Sequence, residues 1–217
     1  MSYHRGMNPA HGERKRPVKR STWTARAAPT DPRTFPAGQR RFTAAEYLRM
    51  AEDGYFKDQR VELLEGVIFE MSPQNDPHFT FISRVTTELV LALGRAWAVR
   101  VQLPLFLGPD SVPEPDLAVI ERAVEDAERP TPHSAKLILE VADSSEAYDL
   151  SVKTRISARA GIPEYCVARV RSSTLEVYAG PQSRQGTYRT RKLLKGHEVY
   201  TSKVLPQIVL RLGDLFG

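Results

Sequence analysis

Apolar residues along residues 42–217 alternate between the spacing typical of helices and the spacing typical of strands. Over His78–Trp97 they recur every three or four positions, which predicts a long amphipathic helix. A shorter helix is predicted to begin after Thr43, because Thr43 and Glu46 have the spacing of a capping box, and to end at Gly54. The folded part of the chain is therefore expected to begin at about residue 42.

Short apolar runs predict strands between and after these helices. The predicted strands are Val61–Leu64, Val67–Phe69, Val99–Leu107, Asp116–Ile120, Leu137–Val141, Tyr165–Val170, Thr174–Tyr178, Arg191–Leu194 and Glu198–Tyr200. A third helix, roughly Ala147–Ala160, is ended by Gly161 and Pro163, and the charged, proline-bearing residues 121–136 predict a surface loop. This order of elements predicts an α/β fold with one central sheet flanked by helices.

Two carboxylates interrupt predicted strands that are otherwise apolar. Asp116 follows Pro115 and opens the run Leu117–Ile120, and Glu140 lies within the run Leu137–Ala142. Burying an ionised carboxylate in an apolar strand costs several kcal/mol unless a cation or hydrogen bonds offset it. Two such residues on neighbouring strands indicate a shared use, and the simplest use is to hold a hard metal ion. Alternatively, Asp116 accepts hydrogen bonds from a turn and Glu140 pairs with a buried basic residue.

A lysine on the third predicted helix is the remaining candidate for chemistry. Lys153 lies four residues after Asp149, and this spacing alone favours an ordinary surface ion pair. The functional alternative requires that Lys153 points inward at the two carboxylates. There its ammonium group would orient an attacking water and stabilise negative charge forming on a phosphate.

Composition and charge divide the 217 residues into a tail and a globular part. Residues 1–40 have no apolar periodicity and carry nine Lys and Arg against two Asp and Glu, so we expect a disordered basic tail before a single domain at 41–217. The tail either contacts nucleic-acid phosphates or is a solvated extension. The single cysteine, Cys166, excludes an internal disulfide framework, and the lack of a signal-peptide-like or membrane-length apolar run leads us to expect a cytoplasmic protein.

Several short motifs together resemble one known family. They are Val61–Gly66 with Met71-Ser72-Pro73 and His78, Pro115–Val119, Leu139–Val141, Asp149 with Lys153, Gly161–Tyr165, Leu205-Pro206 and Leu212–Phe216. In order and spacing they resemble the Uma-two family of endonucleases, within the PD-(D/E)XK restriction-endonuclease-like superfamily. The resemblance spans about residues 42–217.

The resemblance implies a four-stranded mixed sheet core and a Mg²⁺-dependent nuclease site, with Mn²⁺ as an alternative metal. Asp116 and Glu140 would be the metal carboxylates, and the main-chain carbonyl of Val141 would be a further oxygen ligand. Lys153 would replace the lysine that the superfamily carries two residues after the glutamate, a position held here by Ala142.

The resemblance also implies two further members of the site. Glu62 would be an added acidic residue near the metal, although a solvent-facing strand residue is the alternative. His78 would contact phosphate or take part in proton transfer, although a capping or surface role is equally open. The chain departs from the family pattern at Asp143-Ser144-Ser145, Ser157 and Cys166. None of these departures removes a proposed metal ligand.

Three functions are consistent with the sequence. The first is a Mg²⁺-dependent endonuclease that hydrolyses DNA phosphodiester bonds, for which nucleic acid is the partner and a homodimer would allow both strands to be cut. The second is a nonenzymatic nucleic-acid- or protein-binding module on the same scaffold. The third is a metal-free structural protein in which Glu140 pairs with a basic residue.

Overall fold

The structure is a computed structural model, and the residues it describes are 40–71, 74–127, 134–142 and 149–217. The expected disordered tail therefore lies, apart from Arg40, outside the described residues. The same holds for Ser72-Pro73, for Asp143-Ser144-Ser145 and for the side chain of Asp149.

The described residues contain ten strands and five α-helices. The helices are α1 (Ala44–Glu52), α2 (Asp76–Leu93), α3 (Arg122–Ala127), α4 (Thr154–Arg159) and α5 (Leu212–Phe216), with a 3₁₀ turn at Gly94–Ala96 and a π-helical turn at Asp149–Lys153. The strands are β1 (Val61–Leu64), β2 (Val67–Glu70), β3 (Trp97–Val101), β4 (Leu117–Glu121), β5 (Ala135–Ala142), β6 (Glu164–Arg169), β7 (Thr174–Gln182), β8 (Thr187–Lys195), β9 (Val199–Thr201) and β10 (Val209–Arg211). None of the described helices is long and apolar enough to span a membrane.

The central sheet is mixed and has six strands in the order β3-β4-β5-β6-β7-β8. Every neighbouring pair is antiparallel except β5 and β6, which run parallel. The predicted α/β fold with a central mixed sheet flanked by helices is confirmed, but the sheet has two strands more than the four-stranded core implied by the resemblance. The β1–β2 and β9–β10 pairs form separate small sheets.

Alternation along the central strands gives the sheet two buried faces. We call the side covered by α2 the α2 face, and it includes Leu117, Val119, Leu137 and Leu139 packed with Phe81, Val85 and Leu89. We call the side covered by α4 the α4 face, and it includes Ala118, Ile120 and Ile138 packed with Leu64, Val152 and Ile156. Glu140 lies two residues after Ile138, so its side chain belongs to the α4 face.

Local sequence signals explain how the first elements form. The predicted capping box of α1 is present, since the Thr43 side chain accepts from the Glu46 amide and the Glu46 side chain accepts from the Thr43 amide. The predicted β1–β2 hairpin is also confirmed, with Leu64 paired to Val67 across the turn. Both turn residues have positive φ, 47° at Glu65 and 80° at Gly66, as a type I′ turn requires. A Cβ on Gly66 would come within 2.6 Å of the Arg41 Cβ, so this turn depends on glycine.

The predicted long helix is right in kind but wrong in its bounds. It begins at Asp76, two residues before His78, because the Asn75 side chain caps it by accepting from the His78 amide. It ends at Leu93, because Gly94 adopts a φ of 61°, and Trp97 opens a strand instead of ending the helix.

Three other predicted bounds are also wrong. Strand β3 stops at Val101, because Gln102 has a φ of 51° that cannot continue a strand, and the predicted extent to Leu107 is not reached. The predicted loop at 121–136 contains α3 and the first residues of β5. Strands β7 and β8 form nine-residue partners, longer than the runs predicted from their apolar residues.

Candidate active site

Five predicted site residues meet at the carboxyl-terminal end of β5. Glu62 comes from β1, His78 from the first turn of α2, Asp116 from the residue before β4, Glu140 from β5 and Lys153 from the last position of the π-helical turn. Their exposed fractions are only 3–7%. Titratable groups this deeply buried must satisfy one another, and their contacts define the site.

The strand register places the two central carboxylates side by side. Leu117 pairs with Leu139, so the next position outward along the antiparallel β4 and β5 sets Asp116 opposite Glu140. The Asp116 amide donates to Glu140 Oε2 at 3.4 Å, and the Val141 amide donates to Asp116 Oδ2 at 2.9 Å. These two bonds fix each carboxylate against the backbone of the other strand.

Lys153 points inward and lies between two carboxylates. Its Nζ is 3.5 Å from Glu140 Oε1 and 3.3 Å from Glu62 Oε1. The surface-pair interpretation of Lys153 therefore does not describe its position. The second oxygen of Glu62 accepts from the Glu114 amide at 3.2 Å, so Glu62 links the lysine to the segment that leads into Asp116.

His78 reaches the same cluster from the α2 face. Its Nε2 lies 3.0 Å from Asp116 Oδ1. Burial of Asp116 opposes ionisation, but the hydrogen bond and charge of His78, the Val141 amide and the charge of Lys153 outweigh it. The pKa of Asp116 therefore lies below its ordinary value. The site holds this carboxylate in its ionised form.

Two glutamines that sequence reasoning missed also contact Asp116. The side-chain amides of Gln74 and Gln102 donate to Asp116 Oδ1 at 3.1 and 3.3 Å, and Gln102 donates to the Gln74 side chain at 2.7 Å. Gln102 holds this position with a φ of 51°, a conformation that is uncommon for residues other than glycine and is found preferentially at functional sites. The break in strand β3 is the structural feature that brings this side chain to the site.

A bidentate ion pair fixes the hairpin against α4, the helix that directly follows the turn that carries Lys153. Arg155 donates from Nε and Nη2 to the two oxygens of Glu65 at 2.9 and 2.8 Å, and Arg159 Nη1 adds a bond at 3.0 Å. Glu65 follows Glu62 by three residues, and Arg155 follows Lys153 by two. We call Glu65 and Arg155 the hairpin clamp, because they join the β1–β2 turn to α4, directly beside the Glu62–Lys153 pair.

The donor chemistry of the cluster fits a hard divalent cation. Three buried carboxylates, Glu62, Asp116 and Glu140, lie beside one ammonium group and one imidazole, so oxygen donors are concentrated at this point of the described structure. Among the described residues, no three His, Cys, Asp or Glu side chains form a ready-made metal cluster. Mg²⁺ does not require one, because it commonly uses one or two carboxylates and keeps several waters. Asp116, Glu140 and the carbonyl of Val141 match that ligand type.

The fold was compared with solved structures. A protein from Anabaena variabilis, described as a "putative nuclease belonging to DUF820", superposes with a TM-score of 0.64 at 15% sequence identity, covering 81% of this chain and 97% of that one. At this identity the likeness concerns the fold.

A family model defines the family to which the chain belongs. The family model Uma2, described as "Putative restriction endonuclease", matches residues 44–213, so the chain belongs to the Uma2 family. The family identified from the sequence motifs is therefore confirmed. None of the curated proteins matches the chain.

Proposed function

We propose that this protein is a divalent-metal-dependent endonuclease that hydrolyses DNA phosphodiester bonds, with Mg²⁺ as its cofactor and Mn²⁺ as a substitute. The observation that carries the proposal is the position of the Lys153 ammonium group, 3.5 Å from Glu140 Oε1. The other oxygen of Glu140 accepts from the Asp116 amide, so one side chain joins the lysine to the second carboxylate. Membership in a family of nucleases supports the choice of a phosphodiester as the bond that is cleaved.

In this proposal Asp116, Glu140 and the main-chain carbonyl of Val141 hold the metal. When bound, Mg²⁺ lowers the pKa of a coordinated water and stabilises negative charge on a phosphate. The His78 and Val141 contacts keep Asp116 ionised, because they lower the pKa of its carboxyl group. The ligand is therefore available across the physiological pH range.

Lys153 acts on the phosphate and on the attacking water. A buried ammonium group stabilises the extra negative charge that develops on the phosphate oxygens when water adds to phosphorus. Glu62 is a positioning residue in this account, since it contacts Lys153 through one oxygen and the Glu114 amide through the other. It keeps the long lysine side chain in one conformation and so reduces the entropy lost on reaching the transition state.

His78 orients Asp116 from the opposite side. Its ring nitrogen fixes one carboxylate oxygen, which leaves the other on the side of the Val141 amide. In this proposal His78 also exchanges a proton with a water held beside Asp116, since its Nε2 lies 3.0 Å from Asp116 Oδ1.

The proposal is tested with supercoiled plasmid incubated with the purified protein and Mg²⁺ or Mn²⁺. We expect nicked and linear products that are absent in chelator, and a loss of at least about 100-fold in the Asp116→Asn variant, because removing a metal carboxylate removes transition-state stabilisation. Glu164→Gln is the matched control. Glu164 is another fully buried carboxylate of the sheet, but it contacts Ser202 and the Lys203 amide instead of the cluster.

The outcomes separate the proposed endonuclease from the nonenzymatic binding module. Equal nicking by the wild-type protein and Asp116→Asn would assign the activity to a contaminant and contradict the proposal. Binding of DNA without any cleavage in either metal would favour the nonenzymatic binding module. Cleavage of RNA alone, with the duplex DNA intact, would keep the site and replace the substrate.

A further inference from the structure

We infer that Gln102, acting with Gln74, is a positioning residue that occupies one carboxylate oxygen of Asp116 and leaves the other, Oδ2, to bind the metal. The inference rests on the proposed function for the presence of a metal at Asp116. It adds two residues to that site and states which oxygen of the aspartate is the ligand.

The residue type at position 102 conflicts with its backbone conformation. Gln102 adopts a φ of 51°, in a region of backbone space that favours glycine, asparagine or aspartate. A residue that breaks a local rule in this way is retained where its side chain is needed, and such conflicts cluster at functional sites. The contacts of the glutamine side chain therefore explain the residue type better than the backbone does.

Gln102 holds Asp116 at both its main chain and its side chain. Its main-chain N–H donates to the Asp116 carbonyl at 3.1 Å. Its side-chain amide donates to Asp116 Oδ1 at 3.3 Å and to the side-chain oxygen of Gln74 at 2.7 Å, and Gln74 donates to the same Oδ1 at 3.1 Å. The direction of these bonds is fixed, because an ionised carboxylate only accepts hydrogen bonds and both amide nitrogens must therefore face it.

These donors fill one oxygen of the carboxylate and leave the other with capacity to spare. Asp116 Oδ1 is surrounded by the amide nitrogens of Gln74 and Gln102 and by Nε2 of His78 at 3.0 Å. A carboxylate oxygen offers about two lone-pair sites, so three donors leave no site on Oδ1 for a cation. Within the described residues, Oδ2 accepts one hydrogen bond, from the Val141 amide at 2.9 Å, and keeps a second lone pair.

The main-chain ligand proposed for the metal lies on the side of Oδ2. Val141 belongs to β5, and the N–H and C=O groups of one strand residue point to the same side of the strand. Because the Val141 N–H reaches Asp116 Oδ2, the Val141 carbonyl faces the side of β5 on which that oxygen lies. The two glutamines thus hold the carboxylate with its available oxygen turned toward the other proposed ligand.

Asparagine at position 102 separates this role from a structural one. Asparagine fits a positive φ better than glutamine does, but its side chain is shorter by one methylene and cannot keep both bonds of the glutamine amide. If position 102 served only the backbone, Gln102→Asn should bind metal as the wild type does. We expect it to keep the thermal midpoint of the wild type and to bind metal more weakly.

The first test is calorimetric titration of Mn²⁺ into the wild type, Gln102→Asn, Gln102→Met and Gln182→Met. Gln182 is the matched control, since it is a half-buried glutamine of β7 that accepts from the Thr187 hydroxyl. We expect one site in all four proteins, with about tenfold weaker affinity in both variants of Gln102 and unchanged affinity in the control. The metal concentration for half-maximal plasmid cleavage should rise by the same factor, with the rate at saturating metal retained.

The second test reports the chosen oxygen directly. The side-chain amide signals of Gln74 and Gln102 are followed by nuclear magnetic resonance during a Mg²⁺ titration and are assigned from the spectra of Gln74→Met and Gln102→Met. We expect both signals to stay distinct from that of the exposed Gln185 at saturating Mg²⁺, because Oδ1 keeps its donors. Movement of both signals to the position of a solvent-exposed amide would show that the metal takes Oδ1 and would overturn the inference.

The outcomes also distinguish the inference from the proposed function. Equal Mn²⁺ affinity in the wild type and in both variants of Gln102 would overturn the inference and keep the proposed function. Metal binding that depends on Gln102 without any cleavage would do the reverse, and no metal binding by the wild type would overturn both. Circular dichroism and thermal melting check that each variant remains folded.

Discussion

At the scale of a single residue, the positive charge of Lys153 has two opposing effects. Its ammonium group lies between Glu62 and Glu140 and neutralises part of their charge, which stabilises the folded protein without metal. The same positive charge repels a divalent cation that binds Asp116 and Glu140. The lysine is therefore expected to weaken metal binding and to assist the chemistry.

Lys153→Met should separate these two effects. Methionine keeps most of the volume of the side chain but removes the charge that repels the metal, so we expect Mn²⁺ to bind about tenfold more tightly, a gain of about 1.4 kcal/mol. Plasmid cleavage should fall at least about 100-fold, because the stabilising charge beside the phosphate is lost. Calorimetry and the cleavage assay measure the two quantities. Weaker metal binding by this variant would contradict the assigned role.

The pH dependence of stability should depend on Asp116. The pKa of Asp116 is lowered in the folded protein. Its ionised carboxylate therefore increases the free energy of unfolding at pH values above the pKa of the unfolded chain, about 3.9. That contribution is lost as pH falls through the lower folded value. The test is urea unfolding of the wild type and of Asp116→Asn at about pH 2.5–6, a range roughly centred on that value. On acidification the free energy of unfolding should fall less in the variant than in the wild type. The same acid-induced loss in both proteins would show that Asp116 is not stabilised in its ionised form.

The sequence identified some site residues and missed others for a physical reason. Asp116 and Glu140 stand out because a carboxylate in an apolar strand is costly and needs an explanation. Gln74 and Gln102 carry no charge, and Gln102 lies within the predicted strand Val99–Leu107, so nothing in the sequence marked either residue and their contacts with Asp116 depend on tertiary structure. The positive φ of Gln102 is likewise a property of the fold and leaves no mark on the residue type.

At the scale of elements, the hairpin clamp determines how β1 meets α4. Glu65 occupies a type I′ turn position where Asn, Asp or Gly is favoured, and it adopts a φ of 47°. The two bonds from Arg155 offset the cost of this backbone conformation. The ion pair therefore holds the turn at a fixed distance from the helix that follows Lys153.

Arg155→Lys should loosen the clamp without removing its charge. Lysine cannot reproduce the two parallel bonds of a guanidinium group, so we expect a cleavage rate about tenfold lower with plasmid affinity unchanged. Stability should fall by no more than about 1 kcal/mol, because the charge pair persists. Arg159→Lys is the control, since Arg159 makes one bond to the same carboxylate from a side chain that is 56% exposed. An equal loss of rate in both variants would argue against a positioning role for the bidentate pair.

The sequence predicted which segments form helices and strands more accurately than it predicted where these elements begin and end. The apolar period located α2, but the ends of this helix depend on the Asn75 cap and on the positive φ of Gly94. The turn that carries Lys153 is π-helical, and such turns often occur at functional sites. Its inward direction could not be read from the spacing to Asp149, because that spacing fits an ordinary α-helix equally well.

At the scale of the whole molecule, the order of the strands in the sheet cannot be predicted from the pattern of apolar residues. Adjacent β4 and β5 were predicted and are confirmed, but the extension of the sheet through β7 and β8 was underestimated. Strand β8 is mostly exposed and lacks the apolar alternation that identifies a strand.

We propose that residues 1–40 are a tail separate from the domain that follows. The family model begins at residue 44, and every residue assigned to the site lies between Glu62 and Lys153. A variant lacking residues 1–39 keeps the Arg40–Glu46 ion pair and should retain cleavage within about twofold of the full chain. Plasmid assays of both proteins at matched salt test this, and a loss of tenfold or more would assign the tail a part in cleavage.

The central claim is that Asp116 and Glu140 together hold a divalent cation. It is tested most directly by calorimetric titration of Mn²⁺ into the wild-type protein, Asp116→Asn and the Glu164→Gln control. We expect one binding site in the wild type and in the control, and loss of that site in Asp116→Asn. Identical titrations of all three proteins, or no binding to the wild type, would contradict it.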